Sequence, residues 1–294
     1  MHRKSTGNNM NRRVENKVSW TAQGTLIARA VSSTEKNQYL RCEDDMAPLL
    51  TPGFANPLKR WLYRVVTKDI ASRGSYEQVI ARTKYFDAIF QELPGNVEQV
   101  VIYGAGFDSR AVRFKNQLAN KRVFELDVPT TQAVKKERLN RLNLEMLPDL
   151  AFVPIDLDKD SLERKLDEVG FQKDRPCLSL LEGLLQYLQP ETVDNTFHQI
   201  GAYSGEGSVL AFDYPYSSTQ RKENIYKWAS RFGEKTHFGI ERGGIEPFLL
   251  KHGFRLVDES DSPQLERRYF TDNSGRLVAH IRGSRNVLVT AIKT

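Results

Sequence analysis

Three successive apolar runs in this chain each end in a glycine or an acid, and together they could build a ligand crevice. Val97 to Tyr103 is a short, largely apolar run, and Gly104-Ala105-Gly106 follows it at once. Glycine lets a backbone turn sharply and approach a ligand closely. A segment able to form a helix opens at Ser109, and its first N–H groups would point, unpaired, at whatever sits in the turn. In doubly wound proteins such a turn binds a nucleotide-like molecule. Asp127 ends the second run, Lys121 to Asp127, about 20 residues past the glycines, where an acid at a strand end grips ribose hydroxyls. A carboxylate there can accept both hydroxyl protons in one bidentate contact. The third run, Ala151 to Leu157, carries Asp156 near its end, and a fourth, Pro176 to Gly183, closes with Glu182 and a glycine. The turn alone does not fix the ligand, because a dinucleotide fingerprint would have a third glycine where this chain has Ser109.

These residues need a scaffold that brings strand ends to one edge. Five strand-like runs, at 97–103, 122–127, 151–157, 176–183 and 208–214, alternate with helical segments near 109–118, 130–144, 161–169 and 190–202. That alternation predicts a parallel sheet with right-handed crossovers. Two later runs, Phe254 to Asp258 and Val287 to Ile292, are separated by a polar stretch around Asp272-Asn273-Ser274-Gly275 with no clear helix. Without a crossover helix the last strand is expected to run antiparallel to its neighbour. Residues 1–15 read as a flexible tail. Residues 16–94 read as a helical layer, with apolar periodicity in Val18–Arg29, Leu58–Ile70 and Tyr76–Glu92. This layer is expected to cover the sheet edge as a lid and to contribute to the site. Residues 95–294 form the α/β domain, with an insert around 216–250 that includes a polar helical stretch, Gln220 to Gly233.

Composition narrows the partners. The chain has 294 residues, 39% of them apolar and 27% charged, as in an ordinary soluble globular protein. It shows no run of membrane-spanning length and no apolar leader, so no membrane partner is expected. Cys42 and Cys177 lie far apart and do not form a disulfide framework, which fits a reducing cytoplasm. Five histidines and two cysteines, none at ligand spacing, predict no metal site. The net charge of +6 is spread among acids, so nucleic acid is not the expected partner.

Five motifs, in order, carry a resemblance. They are Ala81-Arg82-Thr83-Lys84-Tyr85-Phe86-Asp87, Gly104-Ala105-Gly106-Phe107-Asp108-Ser109-Arg110-Ala111, Glu125-Leu126-Asp127-Val128-Pro129, Val153-Pro154-Ile155-Asp156-Leu157 and Leu181-Glu182-Gly183-Leu184-Leu185-Gln186-Tyr187-Leu188. This set resembles the leucine carboxyl methyltransferase family, in particular its bacterial and archaeal branch of S-adenosyl-L-methionine-dependent O-methyltransferases. The resemblance implies a class I, Rossmann-like methyltransferase fold: a seven-stranded sheet whose last strand is antiparallel. It also implies S-adenosyl-L-methionine as cofactor. Carried over motif by motif, Arg82 would grip the cofactor carboxylate and Gly104 would lie under the methionine part. Asp127 would bind the ribose, Asp156 and Leu157 would hold the adenine, and Glu182 would sit near the amino group and the sulfonium. Read structurally instead, Asp127 and Asp156 would be strand-end caps and Glu182 a turn-stabilising acid.

The implied reaction is methyl transfer to a carboxylate or hydroxyl of a small molecule, which the resemblance suggests is polyketide-like, with a protein C-terminal carboxylate as the alternative acceptor. A carboxylate acceptor is ionised near neutral pH and needs no base, whereas a hydroxyl is helped by one. His198, His237 and His280 are candidate bases, though each reads first as an ordinary histidine. Tyr187, Tyr214 and Tyr216 lie near strand ends and could line an acceptor pocket or simply pack. Two other classes compete: a nicotinamide-dependent oxidoreductase, which shares the glycine turn and the ribose acid, and a non-catalytic nucleotide-binding module. A thermal-shift comparison separates the first two. S-adenosylhomocysteine is expected to raise the melting temperature and NAD to leave it unchanged; the reverse result would favour the oxidoreductase.

Overall fold

The computed structural model describes residues 18–70, 74–144, 146–217, 237–284 and 286–294, and the structural statements that follow concern these. The expected tail at 1–15 and the helical stretch at 220–233 lie outside them.

Strand β1 (Gln99–Tyr103) is central because every residue in it is apolar or buried on both faces. β2 (Arg122–Asp127) and then β3 (Leu150–Pro154) lie on one side of it, β4 (Cys177–Leu181) and β5 (Val209–Pro215) on the other, all parallel. β6 (Phe254–Ser260) and β7 (Asn286–Lys293) complete a seven-stranded sheet of order β3-β2-β1-β4-β5-β7-β6. β7 inserts between β5 and β6 and runs antiparallel to both, so the last strand alone is reversed. Sheet class and orientation match expectation.

The reason expected for that reversal was wrong. A helix does stand between β6 and β7, at Ser262–Tyr269. It begins with a capping box, in which the Asp261 side chain and Gln264 reciprocally satisfy backbone N–H groups, and has Pro263 in its first turn. Only Leu265 is buried in it, so it has no apolar period to read. The chain leaves β6 and re-enters at β7 from the same edge, which makes the pair antiparallel despite the helix.

Register sets the height of the strand ends. Tyr103 pairs with Leu126 and with Leu181, and Leu181 pairs with Phe212. Gly104, Asp127, Glu182 and Asp213 therefore follow in one row along the carboxyl edge. β3 ends at Pro154, earlier than the expected 157, and Asp156 and Leu157 fall in the loop beyond it.

Helices cover both faces. α1 (Trp20–Ser33), α2 (Met46–Leu50) and α4 (Ser75–Gln91) contribute Leu26, Val31, Leu50, Ile80, Phe86 and Phe90 to one core, together with Val100 and Ile102 of β1. Val101 and Tyr103, which alternate to the other face, join Phe197 and Ile200 of α9 (Pro190–Tyr203) and Leu249 of α10 (Ile245–Lys251). α8 (Leu162–Glu168) packs on this face as well, and Phe197 meets Phe212 edge-on, with centroids 5.1 Å apart. The single helix expected at 109–118 is two short ones, α5 (Arg110–Arg113) and α6 (Lys115–Leu118), divided at Phe114, whose ring packs on Phe90. α7 (Pro129–Arg141) links β2 to β3. α3 (Pro57–Val65) continues into a π-helical turn at Val66–Ile70 and buries none of its residues.

Burial predicts how two substitutions in the amino-terminal layer will differ. Phe86→Ala should cost about 3–5 kcal/mol of unfolding free energy in urea, whereas Leu62→Ala on α3 should change it by less than about 0.5 kcal/mol.

Candidate active site

The site starts at the turn after β1. Gly104 adopts φ +60°, a conformation open to glycine, and a Cβ there would come within 2.9 Å of the Leu184 side chain. Ala105 N–H donates to the Leu126 carbonyl at 2.9 Å, which ties the turn to β2. The Asp127 carboxylate then accepts from the Gly106 N–H and, at 2.6 Å, from the Val128 N–H. Burial pushes its carboxyl above the usual range, and these two N–H groups oppose that shift. The turn and the expected ribose acid therefore form one hydrogen-bonded unit.

Glu182, first residue past β4, sits between two guanidinium groups. Arg82 Nε of α4 is 3.0 Å from its Oε1, and Arg110 Nη1 of α5 donates to its Oε2 at 2.7 Å. Burial alone would raise the Glu182 carboxyl; Arg110 and then Arg82 outweigh it and hold the group below its ordinary value. Arg82 also donates to Asp213 Oδ2 at 3.2 Å, and Asp213 accepts from the Gly183 N–H and from Asn286 Nδ2. Burial raises the Asp213 carboxyl, with Arg82 and the Gly183 N–H acting against it.

The network continues outward from Arg110. Its Nε donates to Asp87 Oδ1 at 2.8 Å, and its Nη1 also reaches Asp108. Arg113 forks onto Asp87 at 2.8 and 2.9 Å and donates through Nε to Ser109 Oγ, which in turn donates to Asp44 Oδ1. Asp44 pairs with Arg29 Nη1 at 3.0 Å, and Arg29 Nη2 donates to the Phe107 carbonyl in the glycine turn. Four guanidinium groups (Arg29, Arg82, Arg110, Arg113) thus meet five carboxylates (Asp44, Asp87, Asp108, Glu182, Asp213) in one buried cluster. One formal negative charge is left over. The buried donor Arg110 Nη2 makes no hydrogen bond within the described residues, while Arg82 Nε meets Glu182 by charge alone at 3.0 Å.

Of the residues expected at the site, register gathers Gly104, Asp127 and Glu182, and α4 brings Arg82 to them. Arg82 is already engaged by two carboxylates of the protein. Asp156 is taken up by its own turn: Oδ1 accepts from the Asp158 N–H at 3.1 Å and Oδ2 lies 3.0 Å from Lys159 Nζ. Leu157 is half-buried and packs on the α8–α9 face. Tyr187 lies in a short 3-10 turn, Leu185–Tyr187, close enough to Arg82 to act on its charge. Tyr214 and Tyr216 are elsewhere. Tyr214 is a core residue of the other face, and both hydroxyls reach Glu259 Oε1, at 2.9 and 3.4 Å. His198 is exposed on α9, and His280 lies 3.5 Å from Glu266. The His237 N–H donates to the Gln186 carbonyl, one residue from Tyr187.

Sequence reasoning assigned no role to Asp87, Asp108, Arg110 or Asp213. The first three lie inside the quoted motifs. Asp213 lies near the end of the fifth strand, at the height at which Asp127 ends the second, a signal that was available.

The sheet order, the reversed last strand and the row of strand-end groups define a class I methyltransferase of the S-adenosylmethionine-dependent kind. A geranyl diphosphate methyltransferase solved with geranyl diphosphate and sinefungin shares the fold, with TM-score 0.52 at 12% identity over 81% of this chain and 84% of that one. The chain belongs to the leucine carboxyl methyltransferase family, whose model matches residues 22–201. A relative from Mycolicibacterium paratuberculosis, provisionally named an S-adenosyl-L-methionine-dependent methyltransferase, is 32% identical over 91% of this chain and 92% of its own. One from Mycolicibacterium smegmatis with the same provisional name is 32% identical over 81% and 82%.

The cluster predicts a large cost for removing its centre. Arg110→Met would leave Asp87, Asp108 and Glu182 without their shared partner and should destabilise the protein by about 3–5 kcal/mol in urea. A pH arm follows from Asp108. Burial would raise its carboxyl, but Arg110, Lys135 and Arg29 hold it at about 2, against 3.8 unperturbed. A depressed acid contributes stability that is fully present above its unfolded value and is lost as pH falls through the folded one. Wild type should therefore lose about 2 kcal/mol more than Asp108→Asn between pH 5 and pH 2.

Proposed function

We propose that this protein transfers a methyl group from S-adenosylmethionine to a carboxylate or hydroxyl oxygen of a small molecule, with Arg82, Gly104, Asp127, Asp156, Leu157 and Glu182 holding the cofactor. The observation that carries this reading is the strand register, which sets Gly104, Asp127 and Glu182 side by side at one edge. The residues suit the cofactor chemically. Asp127 offers carboxylate oxygens to a ribose diol. The Gly104 turn, at φ +60°, brings bare backbone to the strand edge. The free Nη2 donor of Arg110 suits a carboxylate, and the cluster's surplus negative charge suits an ammonium and a sulfonium. Bound S-adenosylmethionine would supply an electrophilic methyl group on a good leaving group.

The chain's own part is alignment and exclusion of water, and alignment can contribute roughly 7–11 kcal/mol. Glu182, locked between Arg82 and Arg110, stays ionised and fixed. Tyr187, beside Arg82, is the acceptor-side residue that geometry favours over Tyr214 and Tyr216. The helical layer at 16–94 would close over this edge when cofactor binds, tied to it by Arg29, Asp44, Arg82 and Asp87. An ionised carboxylate acceptor would need no general base. A protein C-terminal carboxylate is a second reading, supported by the family match.

Three measurements test this. Asp127→Ala should weaken S-adenosylhomocysteine binding by about a hundredfold in calorimetry, with Asp127→Asn intermediate, since each charged hydrogen bond contributes about 1.5–3 kcal/mol. Unchanged binding would remove the ribose assignment. Limited proteolysis should show residues 16–94 protected by cofactor. Turnover on panels of small carboxylic acids, phenols and carboxy-terminal peptides distinguishes the acceptors.

A further inference from the structure

We infer that α3 with the turn after it is a docking surface for an anionic lipid bilayer. The helix sits on the protein the wrong way round for a soluble protein. Leu58, Trp61, Leu62, Val65 and Val66 recur at i, i+3, i+4, i+7 and i+8, which places them on one face. That face points outward: Leu58 is 71%, Trp61 60%, Leu62 51% and Val66 41% exposed. Three side chains off that stripe face the protein. Tyr63 stacks on Phe54 and donates to the Pro52 carbonyl at 2.9 Å, while Arg64 and Lys68 lie 3.2 and 2.9 Å from the buried Glu35. The ordinary amphipathic arrangement buries the apolar stripe; here the contacts of Tyr63, Arg64 and Lys68 hold it in solvent.

Charge selects the occupant. Residues 57–66 carry Lys59, Arg60 and Arg64 and no acid. On a helical projection of α3 Lys59 borders the apolar stripe on one side, and Arg64, half-exposed beside Glu35, is the nearest cation on the other. An apolar stripe edged by cations, with a tryptophan in it, is the pattern of helices that lie in the headgroup region of a bilayer. A second copy of this chain fits less well, because it would bring like charges face to face. Nucleic acid would leave the apolar stripe unmatched. The sequence expectation of no membrane partner rested on the lack of a spanning run. Among the described residues no helix is long and apolar enough to cross a membrane, and a helix lying flat does not need to cross.

Co-sedimentation of the full chain with two vesicle types tests this: phosphatidylcholine with phosphatidylglycerol, and phosphatidylcholine alone. Binding is expected to the anionic vesicles, weakening as salt rises. Leu58→Glu, Trp61→Glu and Leu62→Glu combined should bind about tenfold more weakly or worse. Its melting temperature should stay unchanged, because α3 buries none of its residues. Lys59→Glu with Arg60→Glu should both weaken binding and flatten its salt dependence. The proposal is overturned if wild type fails to bind the anionic vesicles, or if the triple variant binds as wild type does. It is also overturned if light scattering shows a dimer that the triple variant dissolves.

Discussion

The whole carboxyl edge depends on how Arg110 is paired. This fully buried guanidinium touches Asp87 of α4, Asp108 of the glycine turn and Glu182 at the end of β4. Three segments far apart in sequence meet on one cation. Burying so many charges carries a large desolvation cost, and the same groups replaced by apolar side chains could be as stable or more so. What the ionic arrangement adds is position. A carboxylate held on two sides by rigid forks cannot rotate away, and Glu182 is held in this way by Arg82 and Arg110. The inference that this cluster exists for placement rather than for stability follows from its location at the strand ends.

Much of this was readable from residue order, and for identifiable reasons. The alternation of β-branched runs with helical segments dictates a parallel sheet, and a parallel sheet sends its strand ends to one edge. Asp127 and Glu182 were legible because each directly ends a strand. Asp156 was read as a strand-end group as well, but β3 stops at Pro154 and the acid forms a turn with Asp158 and Lys159. Strand length at a sheet edge depends on pairing with one neighbour only, which local sequence does not reveal. The helix after β6 was missed because a surface helix with one buried residue has no apolar period, although its capping box could have been read.

The ion-pair partners were the least legible part. Arg82, Asp87 and Arg110 each look like a surface charge on a helix, and only the tertiary meeting of α4, α5 and β4 makes them a unit. The tyrosines show the same dependence on facing. Tyr214 and Asp213 are adjacent in β5, and alternation sends one into the far core and the other into the cluster. A single step in sequence separates a packing residue from a member of the site.

Asn286 opens the last strand and donates to Asp213, while Arg82 reaches the same carboxylate from α4. Tyr85, three residues along α4, bonds Asp258 and Thr290 of the two final strands. Early and late parts of the polypeptide thus close a single ring of contacts. During synthesis on a ribosome, α4 emerges long before its partners in β6 and β7. The nascent protein must carry Tyr85 without Asp258 and Thr290, and Asp213 without Asn286, until β6 and β7 have been made, so these contacts are acquired late.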